Sequence, residues 1–228
     1  MKLTKRITVL IVDDHMIVRE GLISLLKSES TIEVIGDAAD GRQAVALALE
    51  LHPDVIAMDI AMPQMNGLEA TRQILKAAPE TKVIILSAHS DDAYVEHLTS
   101  LGVKGYLIKQ TSVHYLAEAI REVYQGKTYF SPTIAARFES RRQDSLGRKG
   151  LPKSSGATLS SREREVLQLI AEGDANKQIA AKLTISIKTV EKHRGRLMRK
   201  LDIHDTAGLT RYAMTTGIIE KNVQLALV

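Results

Sequence analysis

Alternation constrains this sequence more than any other feature. Between Ile7 and Gln125, apolar runs rich in β-branched residues take turns with stretches whose apolar residues recur at helical spacing. The runs at 7–12, 31–36, 54–58, 82–87 and 104–108 read as strands, and the stretches at 16–27, 41–51, 67–78, 91–101 and 112–125 read as helices. Ile7–Val12 is apolar throughout, the pattern of a strand covered on both faces. In the first helix Val18, Leu22, Leu25 and Leu26 share one face. Gly102 and Gly126 stand where two of the helices must stop. Five such βα units with right-handed crossovers predict an α/β fold: a flavodoxin-like, doubly wound, five-stranded parallel sheet with helices on both faces.

The alternation stops after residue 130. From Ser131 to Ala157 the chain carries Arg141-Arg142, Arg148-Lys149-Gly150 and a Pro, Lys, Ser, Ser, Gly stretch with little periodicity, so 131–157 reads as a linker, with a short helical extension at 133–139. Residues 158–220 read as an all-α, four-helix domain, and 221–228 as a tail. Ser160 with Glu163 makes a capping box ahead of Val166, Leu167 and Ile170. Asn176–Leu183 is a short helix. Thr184-Ile185 turns, Ser186 caps a long helix to Leu201, and Asp205 caps a last helix to Thr216. A short helix, a tight turn and a longer basic helix form a helix-turn-helix pattern.

Charge divides at the same place. Residues 1–130 carry 13 Lys and Arg against 17 Asp and Glu, whereas 131–228 carry 18 against 10. An acidic half repels nucleic acid and a basic half attracts it, so the halves have different partners. The 228 residues contain no cysteine, which excludes a disulfide framework, a thiolate zinc site and a cysteine nucleophile. The apolar runs are too short for a membrane span, and Asp13-Asp14 ends the first one too early for a signal peptide, so a cytoplasmic chain with no membrane partner is expected.

In an open parallel sheet, ligands bind beyond the carboxyl ends of the strands, near the point where strand order reverses. Asp13 and Asp14 end the first strand and Asp59 the third, which are neighbours in the order 2-1-3-4-5. Ser87 ends the fourth strand and Lys109 follows the fifth. Three carboxylates at one edge repel each other unless a cation joins them, and oxygen donors with room for water and phosphate suit Mg2+. Asp59 is then a candidate nucleophile towards a phosphoryl group, with Lys109 pairing to a phosphate oxygen and Ser87 donating a hydrogen bond.

The string Val9-Leu-Ile-Val-Asp13-Asp14, then Asp59-Ile-Ala-Met62-Pro63 through Gly67, then Ser87-Ala, then Lys109, resembles the receiver domain of two-component response regulators over residues 7–126. The resemblance implies that a sensor histidine kinase passes phosphate to Asp59. It implies that Asp14, Asp59 and the backbone carbonyl of Ala61 ligate Mg2+, with Asp13 acting through water. It implies a switch pair of Ser87 and Tyr106. The sequence departs from the usual pattern at Gln110, where many receivers have proline, while Ala61 and His89 flank the expected phosphate position.

In the basic half, the face of the long helix opposite Val190, Leu197 and Leu201 carries Lys188, Lys192, Gly195 and Arg199, flanked by Glu191 and Arg194. Such a helix laid in the major groove reads base edges, and Gly195 admits close approach of the backbone. Thr189, Asn176, Lys177, Arg196 and Lys200 are expected phosphate contacts. The string from Leu159 through Arg162-Glu163, Gly173, Asn176-Lys-Gln-Ile179, Thr189-Val190 and His193 to Lys200-Leu201 is similar to the LuxR-type DNA-binding domain. Joined to a receiver, it resembles the NarL/FixJ class of response regulators. That resemblance implies double-stranded promoter DNA as partner, a homodimer when phosphorylated or DNA-bound, and RNA polymerase as a further contact. The implied protein is a phosphoacceptor regulator rather than an enzyme, limited to self-phosphorylation from a donor and slow autodephosphorylation. Two rivals stand beside it. A phosphatase needs a second acid and a substrate cap, which Ile60-Ala61 after Asp59 do not supply; a regulator governed by protein partners alone would not need the Asp14, Asp59, Ser87 and Lys109 set.

Overall fold

The computed structural model describes residues 5–87, 101–132, 134–135 and 159–219. Residues 91–100 of the expected helix, His89, most of the linker and of its short helical extension (residues 133 and 136–157) and the tail at 221–228 lie outside these residues. The chain divides into two compact units, Met1–Pro152 and Lys153–Val228.

The first unit is a parallel sheet with strand order β2-β1-β3-β4-β5-β6. Its strands are β1 (Ile7–Val12), β2 (Ile32–Ala38), β3 (Val55–Asp59), β4 (Lys82–Ser87), β5 (Gly105–Ile108) and β6 (Tyr129–Phe130). Its helices are α1 (Met16–Lys27), α2 (Gly41–Leu51), α3 (Gly67–Ala77) and α4 (Lys109–Tyr124). Strand alternation sorts the core into two layers. Leu10, Val12, Met58 and Tyr106 face α2 and α3 with Ala44, Ala48, Leu68 and Ile74. Val9, Ile11, Leu86 and Leu107 face α1 and α4 with Leu22, Leu26, Leu116 and Ile120. Asp40 caps α2 through the N–H groups of Arg42 and Gln43, and Asn66 caps α3 through that of Glu69.

Three details differ from the expectation. A sixth strand extends the expected five: after Gly126 (φ +85°) the chain returns along β5, pairing Gly105 with Tyr129 and Tyr106 with Phe130. Two residues are too few to show a period of two in the sequence. The helix expected from residue 112 begins at Lys109, directly after β5, so the lysine is held by a helix start. Val18 does not face the core. The first turn of α1 overhangs the sheet edge, leaving Met16, Ile17 and Val18 exposed, and burial begins at Leu22.

The second unit is helical: α5 (Ser161–Ala171), α6 (Asn176–Leu183), α7 (Ile187–Leu201) and α8 (Thr206–Thr215). The capping box forms, with Ser160 N–H donating to Glu163 at 2.8 Å and Glu163 N–H to Ser160 Oγ at 3.3 Å. Thr184 takes a left-handed conformation (φ +53°) between α6 and α7, and Ser186 then caps α7. Asp205 caps α8 by accepting from Gly208 N–H. Val166, Ile170, Ile179, Leu183, Val190 and Leu197 share one core with Leu209 and Ala213, while Leu201 packs half-buried against it. No helix among the described residues is long and apolar enough to cross a membrane.

Candidate functional site

Four strands end at one edge of the sheet in the first unit and bring the expected residues together. Asp59 is the last residue of β3 and is 1% exposed; Asp13, directly after β1, is fully buried. Lys109, at the start of α4, reaches back between them, with Nζ 2.8 Å from Asp59 Oδ2 and 2.9 Å from Asp13 Oδ2. Asp14 lies half-buried at the rim, and Ser87 is buried at the end of β4. Ala61 is half-buried in the turn after β3. Tyr106 is fully buried on β5, packed in the layer that contains Met58 and Ile85.

Burial is the main force on Asp59 and raises its pKa from the usual carboxylate value to about 6. Lys109 opposes that rise, and the charges of Asp13 and Asp14 add to it. The lysine is itself desolvated, but the two carboxylates more than compensate and hold its pKa above the ordinary value, so it stays a cation. One ammonium therefore balances one of three carboxylates. Asp13, Asp14, His15 and Asp59 each offer a ligand atom within 4.8 Å of the others, and the buried Asp59 Oδ1 meets no hydrogen-bond donor among the described residues. A crowded set of hard oxygens with an unsatisfied buried carboxylate oxygen fits a divalent cation such as Mg2+.

Sequence reasoning missed three contributors. Arg19, one turn into α1, donates from a guanidinium nitrogen to the carbonyl oxygen of Asp13 at 2.7 Å and from Nε to Asp37 at 2.7 Å, tying the β1–α1 turn to the end of β2. His15 follows the two acids and leans on them. Gly67 opens α3 against β3: a Cβ there would lie 1.9 Å from the carbonyl oxygen of Asp59. Gly67 stands within the quoted motif, but only the fold reveals this close approach.

The second unit presents the expected basic face. Lys188, Glu191, Lys192, Gly195, Arg196 and Arg199 are exposed on α7, and Lys177 on α6. A Cβ at Gly195 would meet nothing within 4 Å, so no neighbour in its own unit requires the glycine. The other expected contacts have partners within the protein. Thr189 Oγ1 lies 2.8 Å from the capping Ser186 Oγ. Arg194 donates to Asn176 Oδ1 at 3.3 Å and Thr206 Oγ1 at 2.8 Å, joining α6, α7 and α8. Lys200 Nζ lies 2.7 Å from Glu163, a carboxylate 4% exposed within the capping box. His193 has its pKa lowered, by burial first and then by Arg162 and Arg196 nearby.

Comparison with known proteins gives two family matches: the response regulator receiver domain over residues 9–121, and bacterial regulatory proteins of the luxR family over residues 157–213. The transcriptional regulatory protein LiaR of Bacillus subtilis is 42% identical over 213 residues, covering 93% of this chain and 99% of LiaR. The response regulator VraR of Staphylococcus aureus is 39% identical, covering 94% and 99%. Among solved structures, the RcsB response regulator in complex with DNA matches with a TM-score of 0.57 and 26% identity, covering 93% of this chain and 99% of RcsB.

Proposed function

From the premise that this chain belongs to the two-component response regulators that join a receiver domain to a luxR-family DNA-binding domain, we propose that Asp59 is its phosphoacceptor and the switch that governs DNA binding. The chain is a transcriptional response regulator. In our reading, residues 1–130 are the receiver, 131–157 the linker, 158–220 the DNA-binding domain and 221–228 a tail. A sensor histidine kinase donates the phosphoryl group, in the cytoplasm. The carboxylate of Asp59 attacks phosphorus, the phosphorus–nitrogen bond of the phosphohistidine breaks, and the electron pair leaves with the imidazole.

Asp14, Asp59 and the carbonyl of Ala61 would hold Mg2+, with Asp13 reached through water. The ion, when bound, offsets the charge of the incoming phosphate. Lys109 pairs with a phosphate oxygen, and Ser87 donates a hydrogen bond to another. Tyr106, already packed inward on β5, stays there as Ser87 turns to the phosphate. Slow loss of the phosphoryl group to water resets the state.

Phosphorylation then favours a homodimer that lays α7 in the major groove of promoter DNA. Lys188, Glu191, Lys192, Gly195 and Arg199 face the bases, and Lys177 and Arg196 the phosphates. The RcsB–DNA complex and the structure of two RcsB dimers bound to two parallel DNAs support DNA binding as a dimer. RNA polymerase is the next contact in this reading.

The observation that carries the proposal is Lys109 bridging Asp59 and Asp13 beside a buried, unsatisfied Asp59 Oδ1. Intact mass after incubation with acetyl phosphate and Mg2+ tests it. One added phosphoryl group in the wild type and none in Asp59→Ala is the expected result. An equal gain in both would place the chemistry elsewhere.

A further inference from the structure

The acid cluster contains one donor that phosphoryl transfer leaves unused. His15 is the N-cap residue of α1, in extended conformation (φ −85°, ψ 107°). Its backbone N–H donates to Asp13 Oδ1 at 2.9 Å. That bond turns the ring over the carboxylates: Nδ1 lies 2.8 Å from Asp14 Oδ1 and 3.4 Å from Asp13 Oδ1. The imidazole is otherwise open to solvent, so nothing packed around it requires this pose.

We propose that His15 supplies a nitrogen ligand that lets this site take a borderline first-row divalent ion, of the Zn2+ class, in competition with Mg2+. The inference rests on reading Asp13, Asp14 and Asp59 as a cation site. Ligand atoms about 2.1 Å from one tetrahedral ion stand about 3.4 Å apart. The four donors here lie within 4.8 Å of one another, so the side chains must draw in by about 1 Å to close on an ion. The independent sign of a ligand is Asp59 Oδ1, in a side chain 1% exposed and without a donor among the described residues. Lys109 balances one carboxylate, which leaves the cluster net negative towards a dication.

Mg2+ favours oxygen and keeps its waters, so a nitrogen donor adds little to its binding. Zn2+ binds imidazole well and is satisfied by four ligands, three carboxylates and one nitrogen being an acceptable set. An ion held this way takes one Asp59 oxygen, as Mg2+ would, so the two ions compete for a single place.

The test is calorimetric titration of the full chain with Zn2+ and separately with Mg2+, in wild type, His15→Gln and Asp59→Asn. His15→Gln should weaken Zn2+ by roughly tenfold to a hundredfold, and by a clearly larger factor than it weakens Mg2+. Mg2+ should compete with Zn2+ for one site. A second readout needs no variant: the imidazole nitrogen resonances of His15 should shift on adding Zn2+ and stay in place on adding Mg2+. Zn2+ affinity in His15→Gln within about threefold of wild type, or a His15 ring indifferent to Zn2+, overturns the inference while leaving the Mg2+ site standing. Failure of wild type to bind either ion, or equal binding in Asp59→Asn, overturns the cation-site reading itself.

Discussion

Ser131 donates its backbone N–H to the carbonyl oxygen of Tyr106 at 2.9 Å, so the chain leaving the sheet is hydrogen-bonded to the strand that holds the buried tyrosine. Tyr129 N–H makes the preceding bond, to the carbonyl of Lys104. Three residues on, Ile134 is fully buried in the same layer as Tyr106, with Phe130 packed against it. Ser131 and Ile134, at the head of the segment read as linker, thus pack against the receiver core. Ile134→Ala should cost about 2–4 kcal/mol, the usual loss for a buried isoleucine that leaves a cavity. Urea unfolding of the full chain, followed by a probe in the first unit, checks this. A change under about 0.5 kcal/mol would mean that this segment does not pack on the sheet.

Asp59 is held against its own chemistry when no cation is bound. Burial raises its folded pKa to about 6, against an unfolded value near 3.8. Between those values the folded chain binds more protons than the unfolded one, so stability falls as pH rises through the window. The penalty is complete above pH 6. In chelator at pH 7, Asp59→Asn should therefore be more stable than wild type by about 1–3 kcal/mol. The gap should close as pH falls to about 4. Mg2+ should raise the melting temperature of the wild type and leave Asp59→Asn nearly unmoved, because only a state that binds the ion gains from it. Equal melting temperatures in chelator at pH 5 and 7 would contradict the account.

Which parts of this were legible in the sequence follows from what each feature writes into it. β1 and β3, buried on both faces, wrote apolar runs, and their carboxyl ends carried the acids, so Asp13, Asp14 and Asp59 could be placed before any coordinates. The capping box at Ser160 and Glu163 is a local pattern and was equally readable. β6 was hidden because two residues have no period. Val18 has the right spacing for a buried face, yet spacing does not report where a helix overhangs its sheet. Arg19 and Lys200 have partners in the fold that the sequence does not show, for one reason. A charged side chain on a helix reads as solvated or ligand-facing until a distant partner, Asp37 or Glu163, is brought to it by the fold.

Gly67 bears on phosphoacceptor geometry through its missing side chain. Its Cβ would sit 1.9 Å from the carbonyl oxygen of Asp59, and its own N–H donates to Ile60 at 2.9 Å. Neither backbone segment has a flexible side chain to move aside. Gly67→Ala should shift the end of β3 and lower the rate of phosphorylation from acetyl phosphate by about a hundredfold, as displacement of a reacting group by about 1 Å does. Gly21→Ala is the control, since a Cβ at Gly21 meets nothing within 4 Å. Matching rates in the two variants would show that the contact does not position Asp59.

Lys200 and Lys177 are both basic and exposed in the second unit but should behave differently. Lys200 is paired at 2.7 Å with Glu163, whose carboxylate is 4% exposed. Burial pushes the Glu163 pKa up, but hydrogen bonds from Lys200 and Ser160 outweigh it and leave the pKa below the ordinary value. A depressed carboxylate pKa gives stability that is present above the unfolded pKa and lost as pH falls through the folded one. Lys200→Ala should therefore destabilise the second unit by about 1–3 kcal/mol at pH 7 and flatten its acid limb. Lys177→Ala should leave stability unchanged and reduce the slope of log affinity for DNA against log salt by about one. Melting curves and binding isotherms at several salt concentrations separate the two. A reversed pattern would return Lys200 to the DNA and remove Lys177 from it.

Gly195 offers the sharpest contrast between stability and function. It lies within α7, where glycine costs about 1 kcal/mol relative to alanine. Nothing within 4 Å of a built Cβ requires the residue to be small. Packing inside the unit gives no reason for the glycine, whereas the proposed contact of this exposed face with DNA would. Gly195→Ala should raise the stability of the second unit by about 0.5–1 kcal/mol and still weaken promoter binding. The loss should appear on specific DNA and be small on nonspecific DNA, because a methyl group at this place obstructs a base edge rather than a phosphate. Thermal unfolding and binding to both kinds of DNA check it on a single variant. Undiminished specific affinity would move the base-reading face of α7 away from Gly195, towards the side that carries Arg196.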